Sequence, residues 1–175
     1  MIIVFTGNGK GKTTASLGQM VRVLGRGKKA LMIQFIKGPW RSGEDEFAAK
    51  FQIPDSIFHI EKMGLGFVGI LGDKLPREEH EKAAEKAIAH FEEESRSGKW
   101  HLIILDEINV AVSLGLLSAA RVVEAVKNYP ENRILMLTGR NAPQEFLDLA
   151  DLATEMREIK HPFQSGERAK FTVEF

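Results

Sequence analysis

The chain has 175 residues, enough for one domain with a substantial core, and its 43% hydrophobic and 27% charged content is that of a soluble globular protein. Lys and Arg number 24 and Asp and Glu also number 24, so no global field draws in nucleic acid or anionic membrane, and any anion must be held by a local site. The absence of cysteine excludes a disulfide framework, thiolate chemistry and a Cys-based zinc centre. No apolar run approaches the roughly 20 residues of a membrane-spanning helix. Met1 leads directly into strand-like residues with no signal peptide, so a soluble, cytoplasmic protein is expected.

In chain order, residues 2–5 form the first predicted strand, short and apolar. Leu17, Met20, Val21 and Leu24 then recur at helical spacing, and Gly25 and Gly27 supply a stop. Strands follow at 30–36 and 57–60. A helix at 77–97 places Ala84, Ala87, Ile88 and Phe91 on one face and ends at Gly98. Residues 102–105 read as a strand, 122–128 as a helix, 134–137 as a strand, 143–149 as a helix, and 170–175 as a last edge strand. Hydrophobicity that is continuous along the strands, without alternation, implies strands covered on both faces, as in a parallel sheet. The expected fold is α/β: three layers with a mainly parallel central sheet, as a single domain over 1–175, and the Gly-rich, lysine-bearing segment 6–14 between the first strand and the first helix makes it P-loop NTPase-like. Two connections are long for such a fold, 37–43 and 63–76, and the second holds Gly64, Gly66, Gly69 and Gly72. Long Gly-rich loops that follow strands are where α/β folds build ligand sites.

The segment Thr6-Gly7-Asn8-Gly9-Lys10-Gly11-Lys12-Thr13-Thr14 lies between the first strand and the first helix, the context a P-loop requires. Glycines let backbone N–H groups turn inward and make a nest for phosphate oxygens at the positive end of the helix. Lys12 adds an ammonium to the phosphates, and the Thr13 hydroxyl is suited to magnesium. Thr6 stands where G-x-x-x-x-G-K-[ST] has its first glycine. The competing reading, an ordinary Gly-rich turn, leaves the register of strand, Gly-Lys-Thr and helix unexplained. Lys10 is either a second phosphate contact or a solvated loop lysine. The strand at 102–105 ends in Asp106-Glu107, and an acidic residue there reaches the metal in P-loop proteins; the spacing does not decide which of the two is the direct ligand.

Beyond the P-loop, several segments follow one another in a recognisable order. They are Gln34-Phe35-Ile36-Lys37-Gly38 with Trp40 and Gly43-Glu44, Gly64-Leu65-Gly66-Phe67, Asp106-Glu107-Ile108, and Leu137-Thr138-Gly139-Arg140 with Ala142-Pro143. Ala150-Asp151-Leu152, Thr154-Glu155-Met156 and Lys160-His161-Pro162-Phe163 complete the set. Together they resemble the P-loop type of cob(I)alamin adenosyltransferase. The resemblance implies attack by doubly reduced cobalt on the 5′ carbon of ATP, with triphosphate leaving whole and ATP bound in reversed phosphate order. It also implies magnesium, a reduced corrinoid such as cobalamin as substrate, a reductase such as a flavoprotein, and a homodimer. By matching position, Thr6 to Thr14 hold phosphate, Lys12 and Thr13 handle phosphate and metal, and Glu107 is the metal-linked carboxylate with Asp106 beside it. Arg140 matches a family arginine near the phosphates, with a surface ion pair as the bland alternative. Phe67 matches an aromatic that packs on the corrin and helps displace the lower cobalt ligand. Where many members carry a Trp two positions further on, this chain has Gly69, with Ile70 and Leu71 adjacent.

His59, His80, His90 and His101 show no metal-ligand spacing, and His80 and His90 are expected to face solvent. His161 is either a structural turn residue or a substrate contact. Glu92-Glu93-Glu94 reads as a solvated helix face, and Trp100 as a residue at the core rim. The competing function is a P-loop NTPase that hydrolyses ATP for a regulatory or mechanical role. A third is a binding module that holds ATP or corrinoid without turnover.

Overall fold

A computed structural model describes residues 1–38, 40–70, 72–162 and 166 of the chain. Six strands, β1 (Ile2–Thr6), β2 (Ala30–Gln34), β3 (Phe58–Lys62), β4 (Leu102–Asp106), β5 (Ile134–Thr138) and β6 (Leu152–Glu155), form one sheet in the order β3-β2-β4-β5-β1-β6. Every pairing is parallel. The helices are α1 (Lys12–Leu24), α2 (Gly43–Lys50), α3 (Arg77–Ser97), α4 (Ile108–Ser113), α5 (Ala119–Val126) and α6 (Gln144–Leu149). Among the described residues no helix is long and apolar enough to cross a membrane.

Side chains alternate across a strand, so each strand feeds two cores. Val4, Leu31, Ile33, Ile103, Leu105, Leu135 and Leu137 pack on one face with Ala84, Ile88 and Phe91 of α3, Ile108 of α4, Val122 of α5 and Phe146 of α6. Ile3, Ala30, Met32, Leu102, Ile104 and Met136 pack on the other with Met20 and Val23 of α1. That division makes the three-layer α/β/α arrangement, and it explains why the inner strands are apolar at every position but their last.

Several expectations need correction. The buried stripe of α1 is Lys12, Ser16, Met20 and Val23; Val21 is 55% exposed. The helix starts five residues before Leu17, at a polar lysine, and the stripe runs from there. His80 does not face solvent, because it continues the buried stripe of α3 one turn before Ala84 and finds a polar partner in Asp73 at 3.0 Å. His90 lies half-buried, its Nε2 2.7 Å from Glu61 Oε2. Trp100 belongs to the core itself, its indole N–H donating to Glu94. Glu92 is taken up by the two terminal nitrogens of Arg121 at 2.8 and 3.0 Å, so the Glu92-Glu93-Glu94 run is not simply a solvated face.

Three elements were not anticipated. Helix α2 has no buried residue, hence no hydrophobic stripe to read; its signal is Ser42 three positions before Asp45, whose carboxylate accepts from Ser42 N at 2.7 Å and Ser42 Oγ at 2.8 Å. Helix α4 follows β4 without a break in apolar sequence. Strand β6 is exposed throughout, sits at the sheet edge and is held by backbone pairing to β1. Helix α5 begins three residues earlier than expected because the Ser118 hydroxyl accepts from Arg121 N at 3.1 Å. The strand expected at 170–175 lies outside the described residues.

Phe91 is fully buried and stacks on Tyr129 at 6.1 Å between ring centroids. Truncation there leaves a cavity between α3 and α5, so Phe91→Ala lowers stability by about 3–5 kcal/mol in urea unfolding, whereas Val21→Ala shifts the midpoint little.

Candidate active site

Parallel strands end at the same edge of a sheet, and here all six of those ends carry the sequence motifs. The loop after β1 needs glycine at two places for different reasons. Gly11 precedes α1 with φ 113°, open to glycine almost alone. A Cβ on Gly9 would fall 2.7 Å from Met156 O, because the segment after β6 lies directly behind the loop. Two backbone bonds fasten that segment, Gly9 N to Met156 O at 2.6 Å and Met156 N to Thr6 O at 2.8 Å. Thr6 also uses its hydroxyl, which accepts from Ala142 N at 3.0 Å and ties the loop to the β5–α6 connection. Thr6 thus has a structural task at the place where a P-loop pattern usually has glycine.

Lys12 is 7% exposed and curls over its own loop, Nζ donating to Gly7 O at 2.7 Å and Gly9 O at 2.6 Å. Burial holds its pKa below the ordinary lysine value; Glu107 and Asp106 oppose the shift, and Arg140 and Lys10 reinforce it. Asn8, Lys10 and Thr14 are exposed on the loop rim.

Asp106 is fully buried and receives donors on both oxygens. Oδ1 accepts from Thr13 Oγ1 and Thr138 Oγ1, each at 2.8 Å, and Oδ2 accepts from Gln34 Nε2 at 3.1 Å, with Lys37 Nζ at 3.5 Å. Thr138 stands at the end of β5, between the strands of the P-loop and of Asp106, and its hydroxyl also accepts from Glu107 N at 3.1 Å. Glu107 adopts φ 62°, which turns the chain from β4 into α4. Burial, then the charge of Asp106, pushes its carboxyl up to about 7 against the pull of Lys12, Lys37 and Arg140. Lys37 works against its own burial, and Asp106 and Glu44, the latter at 2.8 Å, raise its pKa.

Arg140 follows Gly139 on the β5 loop, exposed, within electrostatic reach of both Lys12 and Glu107. Gly139 has φ 130°, and a Cβ there would meet Val110 N at 3.0 Å and Glu107 Oε2 at 3.1 Å. Asn109 Nδ2 bridges Phe5 O at 3.1 Å and Gly139 O at 3.0 Å, holding the ends of β1 and β5 together.

The two long loops lie at the same edge. Gly66 N donates to Ile36 O at 3.0 Å, joining the loop after β3 to the end of β2. Trp40 packs over Gly38 and Gly66, where a Cβ would meet its ring at 2.6 and 3.0 Å, and its ring lies 6.3 Å from that of Phe67. Phe67 is 48% and Trp40 64% exposed. Gly69 has φ 69° and open space around its Cβ direction, and the adjacent Ile70 is exposed; Leu71 and Phe163 lie outside the described residues.

The structure thus brings Lys12, Thr13, Asp106 and Glu107 together, with Arg140 beside them and Phe67 on a separate loop. Gln34, Lys37, Asn109 and Thr138 join them without a role foreseen from sequence. Polar residues ending apolar strands, Gln34 after 30–33 and Thr138 after 134–137, were the available signal. Among the described residues no three His, Asp or Glu side chains form a metal-holding group.

A carboxyl whose folded pKa is raised destabilises the fold as pH climbs from its unfolded value, near 4.5, to its folded value, about 7. Without nucleotide or divalent cation, Glu107→Gln is therefore more stable than the wild type at pH 8, by up to about 3 kcal/mol. The difference shrinks to nearly nothing by pH 4.5, as thermal unfolding across that range would show.

The family model described as ATP:corrinoid adenosyltransferase BtuR/CobO/CobP matches residues 1–175. The corrinoid adenosyltransferase of Escherichia coli (strain K12) is 34% identical over 179 residues, spanning 100% of this chain and 85% of its own length. That of Sinorhizobium sp is 39% identical over 176 residues, spanning 100% and 80%. The corrinoid adenosyltransferase CobA of Salmonella typhimurium is 33% identical over 179 residues, spanning 100% and 85%. Among solved structures, the Hef helicase domain of Pyrococcus furiosus aligns with 91% of this chain and 35% of its own, at 16% identity and a TM-score of 0.46, a likeness too slight to inform function. With every residue matched and full-length relatives at a third identity or more, the chain belongs to the ATP:corrinoid adenosyltransferase BtuR/CobO/CobP family.

Proposed function

We propose that this chain, acting as a single domain over 1–175, transfers the 5′-deoxyadenosyl group of ATP to the cobalt of a reduced corrinoid. The cobalt electron pair forms the bond to C5′, the C5′–O bond breaks, and triphosphate carries away the released charge. The observation that carries this reading is convergence. The phosphate loop and the acidic pair share one sheet edge with a loop that displays an exposed aromatic side chain.

On this reading the chain supplies electrostatics and placement more than proton transfer. Lys12 and the Thr6–Thr14 loop hold the phosphates, and Arg140 closes on them from the β5 end. In reversed phosphate order these groups stabilise the departing triphosphate, whose negative charge grows as the C5′–O bond breaks.

The donor set fits a magnesium ion. Thr13 Oγ1 donates its hydrogen bond to Asp106 Oδ1, which leaves lone pairs for a cation. The oxygens of Asp106 are already occupied by four donors, so Glu107 would be the carboxylate left to hold the ion and Asp106 would orient Thr13. So few protein ligands suit an ion that keeps most of its water and binds phosphate oxygens. Bound there, magnesium would neutralise charge on the triphosphate.

Phe67 packs on the corrin face and, with Trp40 and Ile70 near it, helps keep the lower cobalt position free of its ligand. Family membership supports two further expectations, a homodimer and a reductase, such as a flavoprotein, that delivers the reduced cobalt.

Incubation with ATP, magnesium and reduced cobalamin yields adenosylated corrinoid and triphosphate in equal amounts. Orthophosphate without adenosylation would instead indicate an NTPase, and neither product a binding module. Lys12→Ala lowers the transfer rate by about 10²–10³-fold, the scale of losing one preorganised charge contact, read by the change in corrinoid absorbance. Phe67→Ala keeps ATP affinity while the corrinoid step slows.

A further inference from the structure

The loop that carries Phe67 is fastened at two points of different kind. Its first half is tied to the end of β2, Gly64 N donating to Gln34 O and Gly66 N to Ile36 O, each at 3.0 Å. Its second half closes on one side chain. Asp73 Oδ2 accepts from Gly69 N at 2.8 Å, and Asp73 Oδ1 accepts from Leu75 N at 3.0 Å. Asp73 N in turn donates to Ile70 O at 3.1 Å. His80 Nε2 lies 3.0 Å from Asp73 Oδ2; since the carboxylate accepts, that nitrogen carries the proton.

Both side chains of the pair are withdrawn from water, His80 at 2% and Asp73 at 8% exposure. Apolar side chains of the same loop are not: Leu65, Phe67 and Ile70 stand 40%, 48% and 59% exposed. Backbone bonds from Gly69 and Leu75 keep the Asp73 carboxyl below the ordinary aspartate pKa, so the anion that organises the turn persists through the neutral range. A buried histidine on the inner stripe of α3 thus anchors a loop that packs Val68 against the core and leaves Leu65, Phe67 and Ile70 facing outward.

We infer that Asp73 and His80 are positioning residues for corrinoid: a buried clamp that fixes Gly69 and Ile70, and through them Phe67, at the height the macrocycle needs. This rests on the corrinoid reading above. It assigns the clamp no part in nucleotide binding, whose residues lie on the loops after β1, β4 and β5. His80 is the firm end, built into a long helix; Asp73 is the hook. A small displacement of a positioning group away from the reacting atoms can cost about 100-fold in rate.

The test uses the full chain with ATP, magnesium and cobalamin, comparing Asp73→Asn, Asp73→Ala, His80→Gln and His80→Ala. In Asp73→Asn and His80→Ala, kcat/KM for corrinoid falls by about 10- to 100-fold while ATP affinity stays at the wild-type value. The paramagnetic resonance signature of four-coordinate Co(II) corrinoid weakens in parallel, and amide exchange at Gly69 and Leu75 quickens. His80→Gln, whose side-chain N–H can reach the same oxygen, restores most of the loss. Asp73→Ala shows the largest effect if it folds, and the milder variants decide the matter if it does not. Unchanged corrinoid kinetics and cobalt spectrum in Asp73→Asn and His80→Ala would overturn the proposal. So would a proportional loss of ATP affinity and Tm across all the variants, which is the mark of a merely structural pair. A wild-type enzyme that makes no adenosylated corrinoid would sink the functional reading first and the purpose of the clamp with it, an outcome distinct from an active enzyme indifferent to these changes.

Discussion

A carboxylate with no access to water sits where the P-loop helix meets the sheet, and four donors converge on it. They come from α1 (Thr13), the end of β2 (Gln34), the loop after it (Lys37) and the end of β5 (Thr138). Burying a charge in this way is costly unless its lone pairs are occupied, and losing one donor leaves the rest of the penalty in place. Asp106 thereby makes four separately encoded elements agree on one geometry. Thr138 extends the agreement by one bond, receiving the amide of Glu107 and setting the direction in which the second carboxylate leaves the strand.

The same arrangement produces a strong local field in a chain with equal numbers of acidic and basic residues. Lys12, Lys37 and Arg140 stand against Glu44, Asp106 and Glu107 at one edge. The perturbations diverge: Lys12 is pushed down, Lys37 up, and Glu107 up to about 7. Lys37 spends its charge on Asp106 and Glu44, both within 3.5 Å, whereas the bonds of Lys12 are to neutral carbonyls of its own loop. Lys12 is therefore the ammonium most readily redirected toward an anion, and Lys37 belongs to the scaffold.

Inner strands announce themselves in the sequence because both faces are covered, and the four of them, with the edge strand β3 whose Phe58 is buried, were read from apolar runs alone. The sixth, β6, has one sheet neighbour and four exposed residues, so no hydrophobic pattern could betray it. Helix α2 escaped for a related reason: with no buried face it is specified by its cap at Ser42 and Asp45 and not by periodicity. The P-loop segment and the acidic pair stood out in the sequence because each sits at a strand end in a fixed spacing, and the structure brings Lys12, Thr13, Asp106 and Glu107 together there. Gln34 and Thr138 were not, because a neutral polar residue at a strand end gains its meaning only from what lies across the sheet. His80 shows the opposite failure. Helical periodicity did place it on the inner stripe, and its polarity argued wrongly for the outside, since the partner that makes burial tolerable lies in a loop.

Strand β1 lies between β5 and β6, both made from the last third of the chain, and the back of the phosphate loop is closed by Met156. Strand β1 is therefore made well before either of its sheet neighbours. At typical synthesis rates of about 5–20 residues per second, the apolar β1 waits on the order of 10 s with both edges open before its partners exist. Such long-range pairing slows folding and exposes the nascent chain to sticking in the interval. The Gly-rich loop after β1 has no rear wall until Met156 has been made, so it cannot take its folded shape on β1 and α1 alone.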